Sequence, residues 1–70
     1  MYYLRSDNIR RLLDQQHLTH QQFARQLGIS SGYWSRLIQR HRHLTVSMRQ
    51  RILRCESLAG VSETELWERT

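Results

Sequence analysis

Residues 28–32, Gly-Ile-Ser-Ser-Gly, separate two stretches in which apolar side chains recur at helical spacing. The chain has 70 residues, only three glycines and no proline, so it contains few other signals strong enough to break a helix. The interruption therefore predicts a tight turn between two short helices that pack against each other. The apolar positions of the two helices are Phe23, Ala24, Leu27, Trp34, Leu37 and Ile38.

Capping signals predict where the first two helices begin and end. Ser6 or Asp7 is expected to cap a first helix. The sequence Thr-His-Gln-Gln then opens a second helix with a capping box, in which the side chains of Thr19 and Gln22 each bond to the other's backbone N–H. Gly28 falls where a left-handed C-terminal cap is needed, because glycine adopts a positive φ without steric strain.

Two further capping boxes predict where helices begin in the second half of the chain. The box Ser-x-x-Gln at 47–50 opens what we expect to be the longest helix, and the box Ser-x-x-Glu at 62–65 starts a last short one. Trp67 near the end belongs either to the core or to a dimer contact. With a third helix at about 31–39, the sequence predicts a single all-α domain over 1–70, a compact bundle of five short helices without strands.

Successive residues of a helix are rotated by roughly 100° about its axis. This rotation places the apolar residues of the third helix on one face and its polar residues on the opposite face. The polar face combines small residues, which permit close approach, with Arg36 and Gln39. These two side chains have the reach and fork geometry to bond guanine and adenine edges, respectively, in the DNA major groove. The alternative is an ordinary solvated helix surface. The predicted base-reading residues are Ser31, Gly32, Ser35, Arg36 and Gln39.

Positive charge is concentrated in the first part of the chain. Residues 1–55 hold ten arginines against two aspartates, a net charge of +8, whereas residues 56–70 hold one arginine against four glutamates, a net charge of −3. A basic body of this kind favours a polyanionic partner, of which nucleic acid is the commonest for a small domain. The alternative is that the charge serves solubility alone.

The segment LTHQQFARQLGISSGYWSRLIQR, at 18–40, resembles the Xre/Cro/CI family of helix-turn-helix regulators, and GVSETEL at 60–66 resembles it more weakly. The resemblance implies a lambda-repressor-like DNA-binding domain with its helix-turn-helix at about 19–40. It also implies base contacts from the third helix, and phosphate contacts from the start of the second helix and from the loop after the third. The expected phosphate-binding residues are His20, Gln21, Ser30, Tyr33, Arg40, His41, Arg42 and His43.

We therefore expect a cytoplasmic, sequence-specific transcriptional regulator, a small repressor that binds double-stranded DNA as a homodimer on a palindromic operator. An alternative is a DNA-binding module of a larger system, such as an antitoxin or a recruiting subunit, in which Val61, Leu66 and Trp67 face a partner protein. Binding of RNA through charge alone is also open, with Tyr33 as the main stacking aromatic.

Other function classes find little support in the sequence. No nucleophile–base pair, carboxylate pair or phosphate loop stands at useful spacing, so we expect neither an enzyme nor a cofactor nor a small-molecule substrate. The four histidines and Cys55 form no closed zinc pattern, so no metal is expected. No apolar run approaches membrane-spanning length.

Overall fold

The chain folds into five helices and one small sheet that joins its two ends. The computed structural model describes all 70 residues. In chain order the elements are β1 (Tyr2–Leu4), α1 (Ser6–Gln15), α2 (His20–Leu27), α3 (Ser31–Ile38), α4 (Val46–Arg54), a single 3₁₀ turn (Glu56–Leu58), α5 (Glu63–Leu66) and β2 (Trp67–Arg69).

The connection between α2 and α3 has the geometry that the sequence predicts. Gly28 caps α2 in the left-handed conformation, with a φ of 75° and a ψ of 28°. The Arg51 guanidinium donates a hydrogen bond to the Leu27 carbonyl oxygen at 3.2 Å, which satisfies one of the free carbonyls at the end of α2. Ile29 is half-buried and packs against the core, so the turn is held from its inner side.

The capping box predicted for α2 is confirmed. Both bonds of the Thr19–Gln22 capping box are present, at 2.9 and 3.0 Å. Ser30 caps α3, since its hydroxyl oxygen accepts the Tyr33 backbone N–H at 3.1 Å.

The cap predicted for α1 is wrong, whereas Ser62 occupies the predicted N-cap position of α5 without making the predicted capping bond. Arg5 occupies the N-cap position of α1 and makes no side-chain capping bond. Ser6 is instead drawn into tertiary structure, where its hydroxyl donates to the Ile38 carbonyl oxygen at the end of α3. Ser62 makes no capping bond either, because its hydroxyl bonds to that of Thr64 at 3.1 Å.

The fourth helix differs from the prediction in where it begins and in not being the longest helix. It begins earlier, because the hydroxyl of Thr45 accepts the Met48 backbone N–H at 3.1 Å. It stops at Arg54, since Cys55 is extended with a ψ of 122°. The 3₁₀ turn that follows buries Leu58, and the longest helix is α1, with ten residues.

The expectation of an all-α chain without strands is wrong. β1 pairs with β2 in antiparallel register, with Tyr2 opposite Arg69 and Leu4 opposite Trp67. Trp67 therefore lies in a strand rather than in the last helix. Each strand has only three residues, which is too short for a clear alternation of apolar and polar residues. The two strands lie at opposite ends of the chain, so no local hairpin turn in the sequence indicates that they pair.

The core forms one cluster to which every helix and strand contributes, together with Leu44 from the loop between α3 and α4. Trp34 packs edge-on against Phe23, with ring centroids 5.0 Å apart, and this contact joins α3 to α2. Leu66 and Trp67 are buried in the same core, so the structure assigns Trp67 to the core. The cluster consists of Leu4, Ile9, Leu13, Phe23, Ala24, Leu27, Trp34, Leu37, Ile38, Leu44, Met48, Ile52, Leu58, Leu66 and Trp67.

Candidate functional site

The third helix divides into the two faces that its sequence predicts. Trp34, Leu37 and Ile38 are buried. The opposite face is open to solvent, and it carries the five residues predicted to read bases. These exposed residues are Ser31, Gly32, Ser35, Arg36 and Gln39.

Arg36 is the charged group of this exposed face, and its guanidinium is free. It makes no ion pair and no side-chain hydrogen bond within the chain, and the residue is exposed. Close to it, the Gln39 amide nitrogen donates to the Ser35 hydroxyl at 3.3 Å, which is a long bond. The face therefore offers one unpaired cation and one lightly held amide to a partner.

Gly32 leaves the backbone uncovered at one position of this exposed face. A Cβ built at Gly32 would meet nothing within 4 Å, so no atom of the chain itself requires a glycine there. Its φ is not in the left-handed region, which removes the other common reason for glycine. What remains is a gap in the helix surface through which another molecule can approach the backbone.

His20, the first residue of α2, is tied to the core of α3. The Trp34 indole N–H donates to Nδ1 of His20 at 2.9 Å, and the two rings lie 6.2 Å apart at a tilt of 34°. The residue as a whole is exposed, but the covered edge of its imidazole loses hydration. This partial burial, together with the positive charge of Arg10, lowers the pKa of His20 below its ordinary value.

An open cleft of about 340 Å³ lies between α1 and the exposed side of α2 and α3. It brings residues predicted to bind phosphate next to residues predicted to read bases. The cleft also includes Arg10 of α1, which was not among the residues predicted from the sequence. An arginine three residues after Asp7 is typical of an ordinary ion pair on a helix surface, so the sequence alone does not distinguish it. The cleft is lined by Arg10, His20, Gln21, Ser31, Trp34, Ser35, Ile38 and Gln39.

The basic loop after α3 is split by the structure into a bound and a free part. Arg40 has a left-handed φ of 62°, and its guanidinium forms an ion pair with Glu68 of β2. The same guanidinium lies 5.4 Å from the centre of the Tyr3 ring. His41, Arg42 and His43 are exposed and make no side-chain hydrogen bond or ion pair.

The remaining predicted residues are dispersed around this surface. Gln21 is exposed in the first turn of α2, and Tyr33 is half-buried on the flank of α3. Ser30 is exposed, with its hydroxyl engaged in the cap of α3. The histidines and Cys55 do not converge, and no group of three or more metal-ligating side chains lies together. None of the helices has the length and apolar character needed to cross a lipid bilayer.

Comparison with models of known protein families, with curated proteins and with solved structures finds no match to this chain.

Proposed function

We propose that this protein is a sequence-specific, DNA-binding transcriptional regulator, a small cytoplasmic repressor in which α2 and α3 act as a helix-turn-helix. The observation that carries the proposal is the free guanidinium of Arg36 on the exposed face of α3, opposite the buried Trp34 and Leu37. A helix with this division of faces can lie in the major groove and keep its apolar side on the core.

Base recognition follows from the chemistry of the exposed face. Arg36 presents a planar fork of donors that matches O6 and N7 of guanine, and Gln39 matches N6 and N7 of adenine. The small side chains at Ser31 and Ser35, and the open surface at Gly32, let the helix approach the base edges closely. In this proposal Arg36 supplies most of the discrimination between sequences.

Phosphate contacts would flank the recognition helix on both sides. His20 and Gln21 lie in the first turn of α2, whose N-terminus favours anions through its free N–H groups and its dipole. On the other side, Arg42 is the free cation of the loop, with His41 and His43 beside it. Contacts of this kind fix the position of the protein on DNA and make its affinity depend on salt.

A domain of this size would bind a palindromic operator as a homodimer. In that arrangement the two copies of α3 would enter successive major grooves, with half-sites about 34–36 Å apart. The alternative of a larger system places Val61, Leu66 and Trp67 against a partner protein. Val61 is half-buried, and Leu66 and Trp67 are buried in the core of the chain, so we do not favour it.

Selection of bound duplexes from a random pool tests the proposal. We expect a recurring motif with two-fold symmetry. On the selected and on scrambled duplexes, Arg36→Ala is then compared with Arg42→Ala, which also removes one exposed arginine. We expect Arg36→Ala to reduce binding mainly to the selected sequence, and Arg42→Ala to weaken binding to both equally. Equal losses on both duplexes for both variants would exclude base recognition by Arg36.

A further inference from the structure

The hydrogen bond between Trp34 and His20 determines where the imidazole carries its proton. The indole N–H can only donate, and it donates to Nδ1 of His20 at 2.9 Å. A neutral imidazole has one donor and one acceptor nitrogen, whereas an imidazolium has no acceptor. Because Nδ1 accepts, the ring is neutral and its proton lies on Nε2, which leaves a donor as its second hydrogen-bonding group.

The charged groups around His20 come from α1. Arg10 borders the imidazole in the cleft between α1, α2 and α3, and no carboxylate lines that cleft. His20 also borders a second cleft, where Arg10 is joined by Arg11 and Asp14. The group that α3 presents to the imidazole is the uncharged indole of Trp34. The first cleft therefore combines a neutral donor with one cation, a combination suited to an anion.

The Arg10 guanidinium is available for such an anion. Its ion pair with Asp7 is 3.4 Å long, and the side chains of Arg10 and Asp7 are 52% and 99% exposed. An exposed pair of this length holds its arginine weakly. Arg10 can therefore turn to a phosphate that enters the cleft.

We infer that Trp34 is a positioning residue, which holds His20 as a neutral Nε2–H donor for one phosphate group of the DNA backbone, with Arg10 supplying the positive charge. The inference rests on the proposed function and deepens it, since it assigns separate roles to the donor and the cation. Contact through a neutral imidazole releases no counterion, so the salt dependence at this phosphate belongs to Arg10 alone.

The first test is made on the free protein, without DNA. Long-range proton–nitrogen NMR spectra of the imidazole distinguish the protonated ring nitrogen from the unprotonated one. At pH 7.5 we expect protonated Nε2 and unprotonated Nδ1 in His20, whereas His17, which has no such bond, serves as the internal reference. In Trp34→Phe, which lacks the indole N–H, we expect this preference to weaken to that of His17. A wild-type spectrum with the proton on Nδ1 would overturn the inference whether or not the variant folds.

The second test measures binding to the selected duplex at several salt concentrations. We expect His20→Ala to weaken binding about tenfold or more, the effect of one hydrogen bond to a charged phosphate, without changing the slope of log affinity against log salt. His20→Gln should restore affinity to within about twofold, because an amide offers an oxygen to the indole and an N–H to the phosphate. Arg10→Ala should reduce the magnitude of the slope by about 0.9, whereas the control Arg11→Ala should leave it unchanged.

The outcomes separate this inference from the proposed function. If the wild-type protein selects no duplex, the proposed function and the phosphate contact are both overturned. If it binds a duplex through Arg36, but His20→Ala and Arg10→Ala bind as wild type, only the present inference is overturned. A reduced slope in His20→Gln at pH 7.5 would also overturn it, because the imidazole would then have acted as a cation.

Discussion

Glu68, in the last strand, forms an ion pair with Arg40, the residue that leads out of α3. The second carboxylate oxygen of Glu68 lies 3.5 Å from the Arg5 guanidinium, and Arg40 also lies over the Tyr3 ring. The two ends of the chain thus meet at the residue where α3 turns into the basic loop. Arg40 has a positive φ, which is costly for a residue with a Cβ, so contacts with the terminal sheet compensate for local strain.

This relationship predicts that Glu68→Ala destabilises the fold only slightly. The variant removes the pairs with Arg40 and Arg5, whose side chains are 40% and 42% exposed against 30% for Glu68, and pairs this accessible contribute on the order of 1 kcal/mol or less each. The free energy of unfolding in urea measures the effect. Glu65→Ala, which removes an exposed glutamate that forms no ion pair, is the matched control and should change stability less. A loss of about 3 kcal/mol or more would mean that the pair acts as a buried one.

The capping bonds predict a difference between two chemically similar substitutions. Thr19→Ala removes the acceptor for the Gln22 backbone N–H and should destabilise the protein by about 1 kcal/mol. Ser62→Ala should have almost no effect, because Ser62 bonds to Thr64 and caps no backbone N–H. Thermal or urea unfolding of both variants checks this. Equal losses would mean that the hydroxyl of Ser62 acts as a cap in solution.

The parts of the fold that sequence reasoning found depend on neighbours in the chain. The Thr19 capping box, the Gly28 cap and the two faces of α3 involve residues at most about four positions apart, so the pattern itself contains them. Two of the errors involve distant partners, whereas those at Thr45 and Ser62 are local. Ser6 bonds to Ile38, and Leu4 pairs with Trp67, and no local pattern encodes either contact.

In the candidate site, too, the features that depend on neighbours in the chain are predicted and those that depend on distant residues are not. The exposed residues of α3 follow from helical periodicity alone. The cleft also needs Arg10, which comes from another helix, and the hydrogen bond to His20 comes from a tryptophan fourteen residues away. The sequence likewise places Arg40 among the free cations of the loop, since its ion-pair partner Glu68 is at the far end of the chain.

Gly32 and Gly28 are expected to respond in opposite ways to alanine. At Gly32 the new methyl group would meet no atom within 4 Å, and alanine favours helix, so Gly32→Ala should stabilise the fold by about 0.5–1 kcal/mol. At Gly28 the φ of 75° strains any residue with a Cβ, so Gly28→Ala should destabilise it by about 1–2 kcal/mol. Urea unfolding checks both.

The same Gly32→Ala variant tests the proposed close approach of α3 to DNA. If base edges come near the backbone at Gly32, the more stable variant should bind the selected duplex less tightly. The affinity is measured on wild type and variant at one salt concentration. An unchanged affinity would mean that the open surface at Gly32 lies outside the contact.

The lowered pKa of His20 predicts a loss of stability in mild acid. In the unfolded chain the imidazole takes up its proton near its ordinary pKa of about 6.5, whereas the folded state resists protonation, because burial and Arg10 disfavour the charge. Between the lowered pKa and about pH 6.5 the unfolded state therefore binds more protons, so stability falls as the pH is lowered through this window and is unaffected above it.

His20→Gln cannot titrate, and the difference in unfolding free energy between wild type and this variant should change with pH only below about pH 6.5. The pair is compared by urea unfolding from pH 5 to 8, since the two proteins differ only at position 20. A difference that stays constant over the whole range would show that His20 titrates alike in the folded and unfolded chain.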